Sequence, residues 1–250
     1  MTNQQYSHYK KRAFSQGSII ASEGQFFTAD KLKGATIGEK VVTEEGSEAF
    51  VFSINEETIE LVLLNGNDPF PGTQLVRTGE PVVFPCTKEL LGRIISPLGV
   101  DLMTAHRHQT ASMLPVEHKA QGIATRKKIT EQCYTGSLLV DTLLPLGKGQ
   151  RELILGDRKT GKTQFALNTL VTQAKTGTLC IYVAIGKSFS AVKEIETHLK
   201  AEKVLDKTVI IAASSEDPAG LIHLAPFSGM RLAEYLRYTG ENFLNILDDL

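Results

Sequence analysis

The stretch Gly156-Asp157-Arg158-Lys159-Thr160-Gly161-Lys162-Thr163 fits the pattern G-x-x-x-x-G-K-[ST] of a phosphate-binding loop. Its flanks fit the same reading. Arg151 to Leu155 (RELIL) predicts a short strand entering the loop, and Gln164 to Ala174 predicts a helix leaving it, with Phe165, Leu167, Leu170 and Val171 at helical spacing. Backbone N–H groups of such a loop wrap phosphates, and the helix N-terminus adds its positive dipole end. Lys162 reaches the β- and γ-phosphates, and the Thr163 hydroxyl ligates Mg²⁺. By composition the bare pattern arises by chance in roughly one chain in a hundred of this length. The expected nucleotide-binding residues are Gly156 to Thr163 and Gln164.

Outward from the loop, the chain has 250 residues, 42% hydrophobic and 22% charged, with a formal net charge of −1. That composition is ordinary for globular proteins and allows one large or two smaller domains. The near-neutral balance gives no electrostatic reason to expect a nucleic-acid partner. The patch Arg126-Lys127-Lys128 is short and reads as a solvated face. Cys86, Cys133 and Cys180 are far apart and suggest neither disulfides nor a zinc site. His106, His108 and His118 read as loop histidines rather than ligands. The N-terminus lacks a signal-peptide core, and no run approaches the ~20 apolar residues of a membrane span. An intracellular protein is expected, linked to a membrane only through partners.

Before the loop, residues 1–16 read as a polar tail or short helix. From Gly17 to Cys86 short strands and turns alternate: 17–21, 35–42, 49–54, 59–64, 75–77 and 81–85. That spacing predicts a small closed or sandwiched β unit over 17–86. Residues 87–92 predict a helical turn, 93–95 a short strand, and 101–132 a surface connector. After it the pattern becomes α/β. A helix is expected over 137–143, buried strands over 179–185 and 208–213, and a helix over 190–203 capped by Ser190. A helix broken near Pro226 and Gly229 should fill 217–239, and a last strand 243–247. The expected fold is therefore α/β: a small N-terminal β unit (17–86), then a phosphate-loop nucleotide-binding domain with a parallel sheet (87–250). An Asp ending a strand beside such a loop holds Mg²⁺, usually through water; Asp248 is the candidate and Asp249 the alternative. Asn245, in mid-strand, would need hydrogen-bond partners if buried.

Residues 135–163, the run Leu75 to Gly79, Glu89 to Arg93, Val183 to Gly186, Leu224 to Gly229 with Glu234-Tyr235, and the closing Asp248-Asp249-Leu250 resemble the alpha subunit of rotary F-type ATP synthases, in order over roughly 17–250. The stretch before the loop and Leu-Ala-Pro-Phe-Ser-Gly point to alpha rather than beta. The resemblance implies an N-terminal β-barrel (17–86) followed by a RecA-like phosphate-loop domain (87–250), in a regulatory subunit that binds Mg-ATP or ADP without turnover. It also implies an alternating hexamer with beta-type subunits around a central shaft. The place would be cytoplasmic, peripheral on the inner face of a bacterial membrane, in a complex coupled to proton or sodium flow.

Two departures bear on this. Catalytic relatives carry a Glu after the strand that follows the loop helix, and alpha subunits a Gln; the matching residue here is Lys187. A protonated Lys has no lone pair and cannot act as general base, so no catalytic residue is assigned. Lys187 itself reads as a surface lysine, with a phosphate contact as the other reading. The family's later strands, donated arginine and helical bundle do not follow Leu250, so a truncated domain with one edge or face of the sheet bare is expected. The alternatives are a stand-alone RecA-like ATPase of a secretion or translocase system, which Lys187 argues against, and a decayed paralogue, which the intact loop argues against.

Overall fold

The computed structural model describes residues 4–12, 15–30, 32–107, 111–119, 122 and 128–249. His108, Arg126, Lys127 and Leu250 lie outside them.

Alternating apolar residues in short strands close on themselves at the N-terminal end. Strands β1 (Gln16–Glu23), β2 (Phe26–Asp30), β3 (Glu39–Thr43), β4 (Glu48–Ile54), β5 (Thr58–Asn65) and β6 (Gln74–Pro81) form a closed barrel in the order β1-β2-β5-β4-β3-β6. Antiparallel pairing of β1 with β6 completes the ring and removes every edge. The interior is filled by Ile19, Phe27, Val41, Val51, Leu61 and Leu75, among others. Strand β2 escaped the sequence reading, and the strand expected over 35–42 begins only at Glu39. A short helix α1 (Gln4–Lys11) buries Tyr6 against Val42 and Val76 outside the barrel.

Strand β7 (Val83–Cys86) lies before the expected boundary at residue 86, yet it pairs with β9 (Ser112–Pro115), inside the expected connector. A 3-10 turn at Lys88–Leu90 leads to β8 (Ile94–Ile95). A small antiparallel pair, β10 (Gln132–Cys133) with β11 (Leu146–Gly147), brackets helix α2 (Leu138–Leu143).

The second unit is a parallel sheet in the order β14-β12-β13-β8, built from β12 (Leu179–Ile185), β13 (Thr208–Ala213) and β14 (Phe243–Asp248) with β8. Its strands are apolar on both faces because both are covered. Period-2 alternation sends Ile181, Val183, Val209 and Ile211 toward helix α5 (Ala219–Tyr238). Cys180, Tyr182, Ala184, Ile210 and Ala212 face the other way, toward α3 (Lys162–Lys175) and α4 (Phe189–Ala201). Barrel residues Phe50, Val62 and Leu64 join the α5 face in one continuous core.

Three expectations change. Helix α5 is not broken: Pro226 lies inside it, and Gly229 gives close packing rather than a stop, since a Cβ there would lie 2.5 Å from Val183 Cγ2. Helix α4 is capped by Ser188, whose Oγ accepts from the Ala191 N–H, and not by Ser190. Residues 151–155 are not a strand. Leu153 and Leu155 are 75% and 81% exposed, and no ladder holds the segment. Apolar, β-prone residues form a strand only where a neighbour pairs their backbone groups. Strand β14 pairs on one side only, with β12, so the bare edge expected of the sheet is present among the described residues.

Candidate functional site

Register sets up the site. Parallel pairing of Ala184 with Asp248 brings the C-terminal ends of β12 and β14 side by side. Ligands of open α/β sheets bind outside these ends. The alternation that sends Leu244 and Ile246 to the α3 face sends Asp248 there too. The turn after β12, Gly186-Lys187, then lies next to Asp248-Asp249.

The loop stands at the start of α3. Gly161, the residue before the helix, has φ +93° and Lys159 has φ +65°, so two left-handed residues turn the chain tightly into the helix. Gly156 is needed for closeness: a Cβ there would lie 2.9 Å from Thr160 Oγ1. Thr160 Oγ1 donates to the Asp157 carbonyl at 2.8 Å. The Lys162 ammonium donates to the carbonyls of Gly156 at 2.5 Å and Asp157 at 2.6 Å, which holds its charge against the loop. Among the described residues no side chain caps the helix start, and the first-turn N–H groups have no intrahelical acceptor. Gly156, Asp157, Arg158, Lys159, Thr160, Gly161 and Gln164 are exposed, and Lys162 and Thr163 half-buried. Gln164 turns along the helix to Asn168 Oδ1 at 2.9 Å. A cleft of about 580 Å³ lies between barrel and α5, lined by Phe50, Val82, His118, Leu224 and Phe227 among others. It shares no residue with the loop, which is open to the surface.

Thr163 and Asp248, the pair expected to hold Mg²⁺, are brought together, in direct contact. Thr163 Oγ1 donates to Asp248 at 3.1 and 3.3 Å. The buried Tyr182 hydroxyl donates to Asp248 Oδ2 as well. Burial first, then the bond to Asp248 and its charge, push the Tyr182 phenol up from its usual value, so it stays a donor. Tyr182 was not foreseen, although the strand parity that places Asp248 on the α3 face places Tyr182 there too.

Lys187 is not a surface lysine. Its side chain is 14% exposed, and its ammonium lies 3.2 Å from Asp248 Oδ2 and 2.7 Å from Asp249 Oδ2. Burial alone would lower its pKa, but the bond to Asp249 and the Asp248 charge outweigh that and the net shift is upward. Asp249 is held below the usual carboxylate value, first by that hydrogen bond and also by the charges of Lys187, Lys162 and Arg158. Mg²⁺ asks for oxygen ligands at about 2.0–2.1 Å in octahedral array. Here one carboxylate oxygen serves Tyr182 and Lys187, and an ammonium already faces both carboxylates. These residues fit a lysine cation, and they do not fit a divalent ion beside it. Among the described residues no group of three or more His, Cys, Asp or Glu side chains could hold a metal.

Elsewhere on β14, Asn245 finds half of what it needs. Its Nδ2 donates to Met230 Sδ at 3.2 Å, while its buried Oδ1 has no partner among the described residues. Cys86, Cys133 and Cys180 are free thiols.

The barrel, the parallel sheet and the helices on its two faces define an α/β nucleotide-binding domain carried behind a β-barrel. Residues 136–250 match the ATP synthase alpha/beta family, nucleotide-binding domain. The chain is 37% identical over 223 residues to ATP synthase subunit alpha of Staphylococcus aureus strains JH9, Newman and Mu50. The matched part is 88% of this chain and 44% of each relative, so the chain spans less than half the length of the curated relatives it matches. Residues 136–250 thus carry an ATP synthase alpha/beta nucleotide-binding domain, and the chain as a whole is similar to alpha subunits over most of its own length.

Proposed function

We propose that this chain is the nucleotide-holding, non-catalytic part of an alpha-type ATP synthase subunit, with ATP or ADP on residues 156–164. One observation carries the reading: the loop opens α3 with Thr163 on Asp248, while Lys187 stands where a water-activating carboxylate would be and pairs with both nearby carboxylates. Such an arrangement can bind phosphates, through the Lys162 ammonium and the first-turn N–H groups, and has no unengaged general base at Asp248 or Asp249. The Mg²⁺ expected with the nucleotide meets a carboxylate already engaged by Lys187. Likeness to alpha subunits supports beta-type partners in an alternating hexamer around a central shaft, and through them a peripheral place on the inner face of a bacterial membrane. Among the described residues no helix is long and apolar enough to cross a membrane.

The test is titration of the purified chain with a fluorescent ATP analogue, alongside phosphate release. Binding without release above background is expected, and Lys162→Ala should weaken it by about 1.5–3 kcal/mol, the worth of a charge-assisted hydrogen bond. A folded chain that binds nothing overturns the nucleotide reading; one that releases phosphate unaided overturns the non-catalytic one.

A further inference from the structure

The residue that follows β12 does more than remove a base. Lys187 brings a fixed positive charge to the place where loop, β12 and β14 converge. Its ammonium lies on Asp248, and Asp248 is in turn on the Thr163 hydroxyl of the loop helix, so the cation is two polar contacts from the first turn of α3. The site is built around it. Asp248 is nearly buried, its Oδ2 also takes the Tyr182 hydroxyl, and Asp249 grips the ammonium from the exposed side. A side chain that is 14% exposed and holds two carboxylates is positioned, not waving in solvent.

A divalent ion at such a site does two things: it offsets the phosphate charge and it bridges phosphate to the protein's carboxylate. Lys187 supplies part of this without a metal: its ammonium, on Asp248 at 3.2 Å, offsets the carboxylate charge that would otherwise repel a phosphate seated at Thr163. A divalent metal would also have to approach an ammonium of like sign, an interaction that is repulsive by about 2 kcal/mol at 4 Å even in water and more in a partly buried site. We propose that Lys187 is a tethered replacement for the divalent cation, so that this chain binds the di- or triphosphate of its nucleotide with an affinity that Mg²⁺ does not raise. The proposal rests on the nucleotide reading of the loop, and it adds that the ligand preferred is the metal-free nucleotide.

The full chain is titrated with a fluorescent ATP analogue in excess Mg²⁺ and again in EDTA. The wild-type dissociation constant in EDTA should be equal to or smaller than that in excess Mg²⁺, whereas Lys187→Gln should bind at least about tenfold more tightly with Mg²⁺ than without. Lys187→Arg keeps the charge and should likewise gain nothing from the metal. Mn²⁺ followed by electron paramagnetic resonance gives a second readout: Lys187→Gln with nucleotide should immobilise the ion on the protein, and wild type should add no such signal to that of Mn²⁺ with the nucleotide alone. A wild-type affinity raised about tenfold or more by Mg²⁺ overturns the proposal while leaving the nucleotide reading intact. Absence of binding by folded wild type in both buffers overturns the nucleotide reading itself. The wild-type comparison decides the matter even where a variant does not fold.

Discussion

Thr163 donates its hydroxyl to the carboxylate of Asp248, 85 residues further along the chain, at 3.1 and 3.3 Å. The contact ties the loop helix to the C-terminal end of β14, and it is backed from below by the Tyr182 hydroxyl on the same carboxylate. Tyr182→Phe keeps the ring in the core and removes one donor from a nearly buried anion. Urea unfolding should show a loss of about 1.5–3 kcal/mol, the range for hydrogen bonds to charged groups, at unchanged m-value. A loss under about 0.5 kcal/mol, the scatter of a surface change, would mean that Tyr182 does not hold Asp248.

The barrel depends on a second buried carboxylate. Glu39, 2% exposed, takes Arg77 in a two-bond fork, with Nε and Nη2 each at 2.9 Å from one oxygen, and accepts the Gly79 N–H at 2.9 Å. Arg77→Ala leaves that charge buried without its cation and should cost about 3–5 kcal/mol. Replacing both by apolar residues of similar volume should recover much of the loss, since a pair removed together leaves no orphan charge. Chemical unfolding of the single and double variants measures both numbers.

How far these contacts were legible in the sequence follows from their range. Strands β12 and β13 have the expected bounds, because a continuous apolar run between turns marks a doubly covered strand without reference to its neighbours. Leu153 and Leu155 look no less strand-like, yet among the described residues their segment pairs with nothing, and pairing is not written in any one segment. Asp248 was found because an acid ending a strand is a local signal. Lys187 was recognised as a departure, but its burial was not, since its partners are set by the register of β12 on β14. Gly229 looked like a helix break because a glycine's packing role depends on what stands opposite, here Val183.

Asp101 gives the fold an acid limit. Its side chain is 4% exposed and accepts from Arg93 at 2.8 Å and from the N–H groups of Met103 at 2.8 Å and Thr104 at 3.0 Å. Burial would raise its pKa; the bonds from Arg93, Met103 and Thr104 outweigh that and hold it below the ordinary value. Because the folded value is the lower one, the unfolded chain takes up the proton first as pH falls. The contribution is therefore complete above about pH 4, the unfolded value, and is lost as pH drops through the lowered folded value. Asp101→Asn should be less stable at neutral pH by about 1.5–3 kcal/mol, and its deficit against wild type should shrink between pH 5 and about pH 3. A deficit that stays constant over that window would show that Asp101 does not titrate with folding.

Gly229 offers a test in which the sign of one substitution depends on a residue across the interface. In an open helix, Gly→Ala stabilises by about 1 kcal/mol. At this position the new Cβ would lie 2.5 Å from Val183 Cγ2, the methyl of a stiff side chain on the central strand β12. Crowding of that kind costs about 1–3 kcal/mol and should outweigh the helical gain, so Gly229→Ala in the wild-type background is destabilising. Val183→Ala removes the opposing methyl and opens space for the Cβ. In that background the same Gly229→Ala change should become neutral or stabilising by up to about 1 kcal/mol, as the helix propensity is no longer opposed. A four-protein urea cycle reads the reversal, and an unchanged sign in the two backgrounds would mean that Gly229 is needed for something other than its approach to β12.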